Sequence, residues 1–341
     1  MLGNRYYHGP PSDHFDGNRF FNPHHPSTDR SFVELLRWRF GGGHERWPTA
    51  TSARQVVPDI RVDGLRVTLV GHATVLIQAS GRNILVDPVW SARASPVRWT
   101  GPRRVNTPGV AFKDLPPIDA VLLTHNHYDH LDTSTLKRLW DRGRPRIIAP
   151  LGNDGVVTSA LPQIDVEARD WHEKADLGDD AVVWLHPANH WSARGVRDRR
   201  MALWCGFVIA TPAGTIYLSG DTGYGDGQVF RDVKLGYPPT DVAILPIGAY
   251  APRWFMKDQH VDPAEAVQIM LDCGAVQALG VHWGTFPLTD ETRLAPREAL
   301  RAELARLRLD ETCFPALEPG ETWQRSRCER RQPAQSPYQT I

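Results

Sequence analysis

The sequence predicts an α+β fold made of two β-rich halves facing each other, on three observations. The first is a faint repeat. Residues 74–78, a turn at Ser80 and Gly81, and residues 84–86 lead to Asp87; residues 207–210, a turn at Ala213 and Gly214, and residues 216–219 lead through Gly220 to Asp221. Each hairpin delivers an aspartate from the end of its second strand. The second observation is that helical periodicity separates the strands, over 132–140, 262–271 and 296–307. The third is that the apolar run 119–124 opens directly onto His125, His127, Asp129 and His130, four metal-ligand side chains within six positions.

Taken in order, residues 1–58 are rich in Pro, Gly, His and aromatics and read as an N-terminal arm. Its one periodic segment is 31–40. Phe32, Val33, Leu35, Leu36 and Phe40 recur at helical spacing with Arg37 and Arg39 between them, and Gly41 to Gly43 stop the helix. The pattern suits either an arm packed over the domain edge or a helix lying on a membrane surface. Residues 59–320 contain no linker-like stretch and read as one hydrolase domain, beginning with a strand at 67–70, and 321–341 read as a C-terminal tail. Of the helices, 262–271 carries the clearest start signal. Asp262 can cap it, Pro263 fits its first turn, and Glu265 completes a capping box.

Composition narrows the function. The 341 residues are 41% hydrophobic, enough for a sizeable core. Lys plus Arg equals Asp plus Glu at 39 each, so no basic excess argues for a nucleic-acid partner. Cys205, Cys273, Cys313 and Cys328 form no Cys-x-x-Cys pair and read as ordinary thiols of a reducing compartment. The N-terminus has no signal-peptide core, and no run reaches the roughly 20 apolar residues that span a bilayer. A soluble cytoplasmic protein is expected.

Four titratable groups on one loop are costly to desolvate without a cation, and imidazole plus carboxylate suits zinc, iron or manganese. His125 and His127, two apart at a strand end, can point to the same side, with Asp129 and His130 around the following turn. Three more candidates sit at strand ends: His190 after the strand 181–185, Asp221 after small Gly220, and His282 at the apolar run 279–282. Alone, each is more often a satisfied polar residue. Together with the loop they make seven ligands, more than one four-coordinate ion needs and enough for two ions with Asp221 between them. No Gly-x-Ser-x-Gly elbow is present to favour a serine nucleophile.

The stretches 124–132, 220–224, 245–256, 259–263 and 281–286 resemble the metallo-β-lactamase superfamily, and within it N-acylphosphatidylethanolamine-hydrolysing phospholipase D and its bacterial RomA-like relatives. The most specific of them runs Leu-Pro-Ile-Gly-Ala-Tyr-Ala-Pro-Arg-Trp-Phe-Met from Leu245, and residues 12–17 and 20–23 also look like the bacterial members. The resemblance covers about residues 65–317 and implies a four-layer αββα sandwich with two metals at the strand ends. One metal is expected on His125, His127 and His190, the other on Asp129, His130 and His282, with Asp221 bridging. Two Zn2+ ions, or other divalent transition metals, some 3.5–4 Å apart share a water, lower its pKa toward ~7 and present hydroxide to a phosphodiester. Flavodiiron relatives usually carry Glu at the position of His127, so zinc hydrolysis is expected over iron redox chemistry.

Asp87 is expected to accept a hydrogen bond from a ligand imidazole, and His72 to support the site or pack in the core. His260 is expected to orient substrate or protonate the leaving group, a catalytic role beside Asp129 and Asp221. Tyr250, Trp254 and Phe255 are candidates for an apolar wall beside the metals. The implied substrate is N-acylphosphatidylethanolamine, cleaved to phosphatidic acid and N-acylethanolamine. The runner-up is a soluble hydrolase of a lactone, β-lactam or small phosphodiester. A metal-dependent binding protein without turnover would lack a ligand, and all seven are intact. The implied partners are a phospholipid or small ester, peripheral contact with the inner face of the membrane, and a second copy in a homodimer.

Overall fold

Alternation along the strands decides the layers. In the computed structural model, which describes residues 3–43 and 45–325, α1 (Phe32–Phe40) precedes a run of six strands: β1 (Leu65–Gly71), β2 (Thr74–Ala79), β3 (Arg82–Val86), β4 (Ala120–Leu122), β5 (Arg146–Pro150) and β6 (Glu167–Arg169). A second run comprises β7 (Lys174–Gly178), β8 (Ala181–His186), β9 (Gly206–Thr211), β10 (Gly214–Leu218), β11 (Val242–Pro246) and β12 (Gln277–Val281). A last strand, β13 (Thr322–Gln324), pairs antiparallel with β1. The first sheet therefore runs β13-β1-β2-β3-β4-β5-β6, and the second runs β12-β11-β10-β9-β8-β7.

Val75 and Ile77 of β2 enter a cluster shared with Leu185 of β8, Phe207 and Ile209 of β9 and Ile216 of β10, which is the core between the sheets. Leu76, between them, faces the other way. It meets Leu136 and Leu139 of α2 (Thr133–Gly143) and Val156 and Val157 of α3 (Asn153–Ala160) in a separate cluster. The side-chain period of two sends neighbours to opposite faces, so a one-residue slip of β2 would exchange the two cores. On the far side of the second sheet, Tyr217, Ala243 and Leu245 pack on α4 (Gln228–Gly236), α6 (Pro263–Asp272) and α7 (Ala295–Arg306) through Phe230, Val267, Met270 and Leu300. Only the one-turn α5 (Arg253–Met256) stands apart from these stacks, on the connection from β11 to α6. The result is an α+β protein of four layers, αββα, as expected.

Pairing direction gathers the site. β4 lies parallel to β3 and β5, so Asp87 and His125 leave adjacent strands at the same edge. β11 lies parallel to both β10 and β12, so Asp221 and His282 leave the second sheet together.

Two boundaries differ from the sequence reading. Residues 322–324, assigned to a tail, are the edge strand beside β1, because three residues without periodicity give no strand signal of their own. The arm is bound into the domain: Phe15 and Phe20 are fully buried in the inter-sheet core. Capping matches expectation at α6, where Asp262 and Glu265 form the capping box, and Ser31 with Glu34 forms another at α1. Cys328 and residues 326–341 of the expected tail lie outside the described residues. No helix of the described residues is long and apolar enough to cross a membrane.

Candidate metal centre and substrate cavity

The loop after β4 places ring nitrogens face to face. His125 Nε2 lies 2.9 Å from His127 Nδ1, and His190 Nε2 lies 3.3 Å from the same atom. A second group forms beside it. His282 Nε2 is 3.4 Å and His130 Nε2 3.6 Å from Asp129 Oδ2. Asp221 stands between the groups: its Oδ2 is 3.2 Å from His130 Nε2, 3.9 Å from His125 Nε2 and 3.8 Å from His190 Nε2, while its Oδ1 is 3.2 Å from His282 Nε2. The structure thus brings all seven sequence-predicted ligands together, in the two sets expected.

The donor set fits cations. His127 Nε2, His130 Nε2 and both ring nitrogens of His282 are buried without a hydrogen-bond partner, an arrangement costly to maintain unless ring nitrogens serve as lone-pair donors. Burial holds His127 and His190 down to about 3, so both are neutral donors. Burial would raise the Asp221 carboxyl, but His130 and His282 hold it well below the usual range. Burial pulls the His130 imidazole down, yet the Asp221, Asp129 and Asp87 carboxylates outweigh it and raise it well above its ordinary value. The pocket therefore demands positive charge at His130 Nε2, and a metal ion supplies it without a proton.

Outer partners set the ring orientations. Asp87 accepts from His130 Nδ1 at 2.7 Å, from Thr124 N at 2.8 Å and from Thr124 Oγ1 at 2.6 Å. With Nδ1 donating there, His130 presents the lone pair of Nε2 to the site. The Gln259 carbonyl does the same for His190, accepting from Nδ1 at 2.9 Å. His72 meets Asp129 Oδ2 through Nε2 at 2.9 Å, and its carbonyl accepts from His282 N at 3.0 Å, so it supports the site and is fully buried. Asp87, His72 and His282 all have left-handed backbones, φ 43, 56 and 60, a conformation that costs a non-glycine residue of order 1–3 kcal/mol. Packing and hydrogen bonds on both sides hold them there.

One cavity of about 730 Å3 reaches this centre. His127, Asp129, Asp221 and His260 line its floor, and Leu35, Trp38, Trp191, Phe255, Met256 and Leu288 supply its apolar surface. His260 stands at the floor with Nδ1 3.9 Å from Asp221 Oδ2 and unpartnered. Of the three aromatics expected in the wall, Phe255 alone lines the cavity. Trp254 is 41% exposed, with the Arg37 guanidinium 5.0 Å from its ring. Tyr250 lies behind the lining, where burial pushes its phenol up to about 12. The correction has a simple cause: successive helical residues point about 100° apart, so Trp254 and Phe255 of α5 cannot face one cavity.

The sequence reading missed the arm's part in the wall. Trp38 stacks on Phe255 with centroids 5.0 Å apart, and Leu35 and Trp38 share one helix face at i, i+3. It also missed Trp191, whose ring edge meets His127 at 4.4 Å and whose indole donates to Gln259 Oε1 at 2.6 Å. Adjacency to His190 was the available signal.

Residues 82–283 match the family model for the beta-lactamase superfamily domain. The chain is 38% identical over 276 residues to N-acyl-phosphatidylethanolamine-hydrolyzing phospholipase D 1 of Caenorhabditis elegans, covering 77% of this chain and 76% of that one. It is 33% identical to the mitochondrial N-acyl-phosphatidylethanolamine-hydrolyzing phospholipase D of Saccharomyces cerevisiae, over 68% of this chain and 50% of the yeast protein. An isothiocyanate hydrolase from Delia radicum gut bacteria shares the fold, with a TM-score of 0.58 at 18% identity over 76% of this chain and 100% of that one.

Proposed function

The chain belongs to the metallo-β-lactamase superfamily, in the branch of the N-acylphosphatidylethanolamine-hydrolysing phospholipases D, and from that premise we propose that this metal-dependent hydrolase is a zinc phosphodiesterase cleaving N-acylphosphatidylethanolamine to phosphatidic acid and N-acylethanolamine. The observation that carries the proposal is one cavity joining a two-group His/Asp floor to an apolar wall. A lactone or small phosphodiester needs the floor alone; a diester bearing acyl chains uses both.

His125, His127 and His190 would hold one ion, Asp129, His130 and His282 the other, and Asp221 would touch both. Bound there, the pair would supply Lewis acidity and an activated water at neutral pH. The protein's own work is positioning. Asp87 and the Gln259 carbonyl fix the tautomers of His130 and His190 by accepting from their Nδ1 atoms. His72 braces Asp129. Burial keeps His260 neutral, down to about 3, so it presents an imidazole N–H and lone pair, rather than a charge, to the phosphoryl group or the leaving oxygen. Trp38, Phe255, Met256 and Leu288 exclude water from the acyl side.

Free thiols at Cys205, Cys273 and Cys313 support a reducing, cytoplasmic setting, with lipid met at the inner membrane face. The test is phosphatidic acid release from N-acylphosphatidylethanolamine in mixed micelles by zinc-loaded protein. Release that Asp221→Asn abolishes is expected. Protein carrying two equivalents of metal that releases none would sink the lipid assignment and leave a small soluble ester, lactone or phosphodiester as substrate.

A further inference from the structure

The two faces of α1 have different surroundings. Leu35 and Trp38 line the catalytic cavity, whereas Phe32, Val33 and Phe40 are 71, 73 and 79% exposed. Across the cavity mouth, Val196 lines the same opening and is 99% exposed. A soluble protein seldom spends so much apolar side chain on water at the rim of a functional cavity, and such a rim marks a contact surface.

Charge identifies what it contacts. Arg19, Arg30, Arg37, Arg199 and Arg200 stand around this rim with three carboxylates, Asp29, Glu34 and Asp258. The carboxylates are engaged: Asp29 accepts from Arg199 and Arg200 at 2.7 Å each, Asp258 from Arg30 at 2.7 Å, and Glu34 caps α1 through Ser31. Arg19 lines the cavity and, among the described residues, has no ion-pair partner. Its Nε is buried and unbonded. The Arg37 guanidinium lies over Trp254, which is itself 41% exposed. Apolar side chains set among surplus guanidiniums, on a helix too short to span a bilayer, match an anionic lipid surface: the apolar groups enter the acyl boundary and the arginines meet phosphates.

We propose that the outward face of α1, with Val196 and the surrounding arginines, docks the cavity mouth onto an anionic phospholipid surface. The helix is held for this task. Arg30 ties its start to Asp258 and to the Phe255 carbonyl, and Trp38 stacks on Phe255, so α1 keeps its place while its outer side chains remain free. A docked α1 gives an acyl chain a continuous apolar path from the bilayer past Leu35 and Trp38 to the metal floor. Docking deepens the phospholipase reading, but it is measured without turnover, so each can fail alone.

The experiment is co-sedimentation of the full-length protein with vesicles of phosphatidylcholine alone and of phosphatidylcholine with phosphatidylglycerol. Partition onto the anionic vesicles, weakened by salt, is expected. The double variant Phe32→Ser, Phe40→Ser should partition at least about tenfold less, since burying one such side chain is worth a factor of about ten or more. Leu235→Ser, which removes an equally exposed apolar residue on α4 (80% exposed), should partition like wild type. Unchanged circular dichroism would show that the double variant folds. Equal binding to neutral and anionic vesicles, wild-type partition by the double variant, or a dimer in solution that the double variant dissolves would each overturn the proposal. Vesicle binding without hydrolysis of N-acylphosphatidylethanolamine would leave docking intact and remove the substrate; hydrolysis in micelles without vesicle binding would do the reverse.

Discussion

The floor and the wall of the cavity are built by opposite means. The floor is made of residues at strand ends, each fixed by a second residue behind it: His130 by Asp87, His190 by the Gln259 carbonyl, Asp129 by His72. The wall is made of side chains from α1, α5 and the loop after β8, with Trp38 stacking on Phe255 and no charged atom in the contact. Directional bonds tolerate little displacement; apolar packing tolerates more. A substitution in the floor should therefore act on chemistry, and one in the wall on which substrate is chosen.

Asp221→Asn should have the largest effect. The amide cannot supply two anionic oxygens between the groups, so turnover should fall by about a thousandfold or more with bound metal below two equivalents. Mass spectrometric metal content beside circular dichroism checks it: the fold should persist because Asp221 leaves β10 outside the packed core. Wild-type turnover with two bound ions would remove Asp221 from the centre.

Asp87→Asn should come next. Asp87 accepts three hydrogen bonds, and an amide can accept only on its oxygen while its NH2 faces donors from Thr124 or His130. Loss of such an outer partner typically costs 10–100-fold in metal affinity or activity, so a weakening of about that size is expected in a competitive chelator titration. An unchanged affinity would mean that the floor does not depend on what stands behind its ligands.

Legibility divides along the same line. The seven floor residues could be read because their chemistry is concentrated: four ligands share one loop, and the other three follow strands whose alternation is plain, as at Val75, Leu76 and Ile77. Asp87 was readable for the same reason, as the end of a hairpin strand. The wall was not. Its residues gain meaning only when α1, 200 positions earlier in the chain, is laid against α5, and Leu, Trp, Phe and Met carry the same signal in a wall as in a core. Strand β13, with three residues, and the burial of Phe15 and Phe20 escaped notice for want of local pattern.

Trp38→Ala should lower kcat/KM for a long-chain substrate by about tenfold, the order expected for one large apolar contact, and mainly through KM. A series of alkyl p-nitrophenyl phosphodiesters of rising chain length reads this directly. Wild type should gain with each added methylene, and the variant should lose most of that slope. An unaltered slope would place the acyl chain elsewhere.

Trp254→Ala should do least, and it separates the wall seen in the structure from the one expected of the sequence. Trp254 is next to Phe255, yet it meets that ring edge-on at 5.5 Å from outside the cavity and stacks with Arg37 near solvent. Its removal should change kcat/KM for the same chain-length series by no more than about twofold, the scale of an exposed contact. Phe255→Ala, one position on, should flatten the series as Trp38→Ala does, because the two rings pack as a pair. Equal effects at 254 and 255 would mean that α5 shifts to present both rings when substrate enters, and the wall would then be a moving element rather than the fixed one that Trp38 and Phe255 form together.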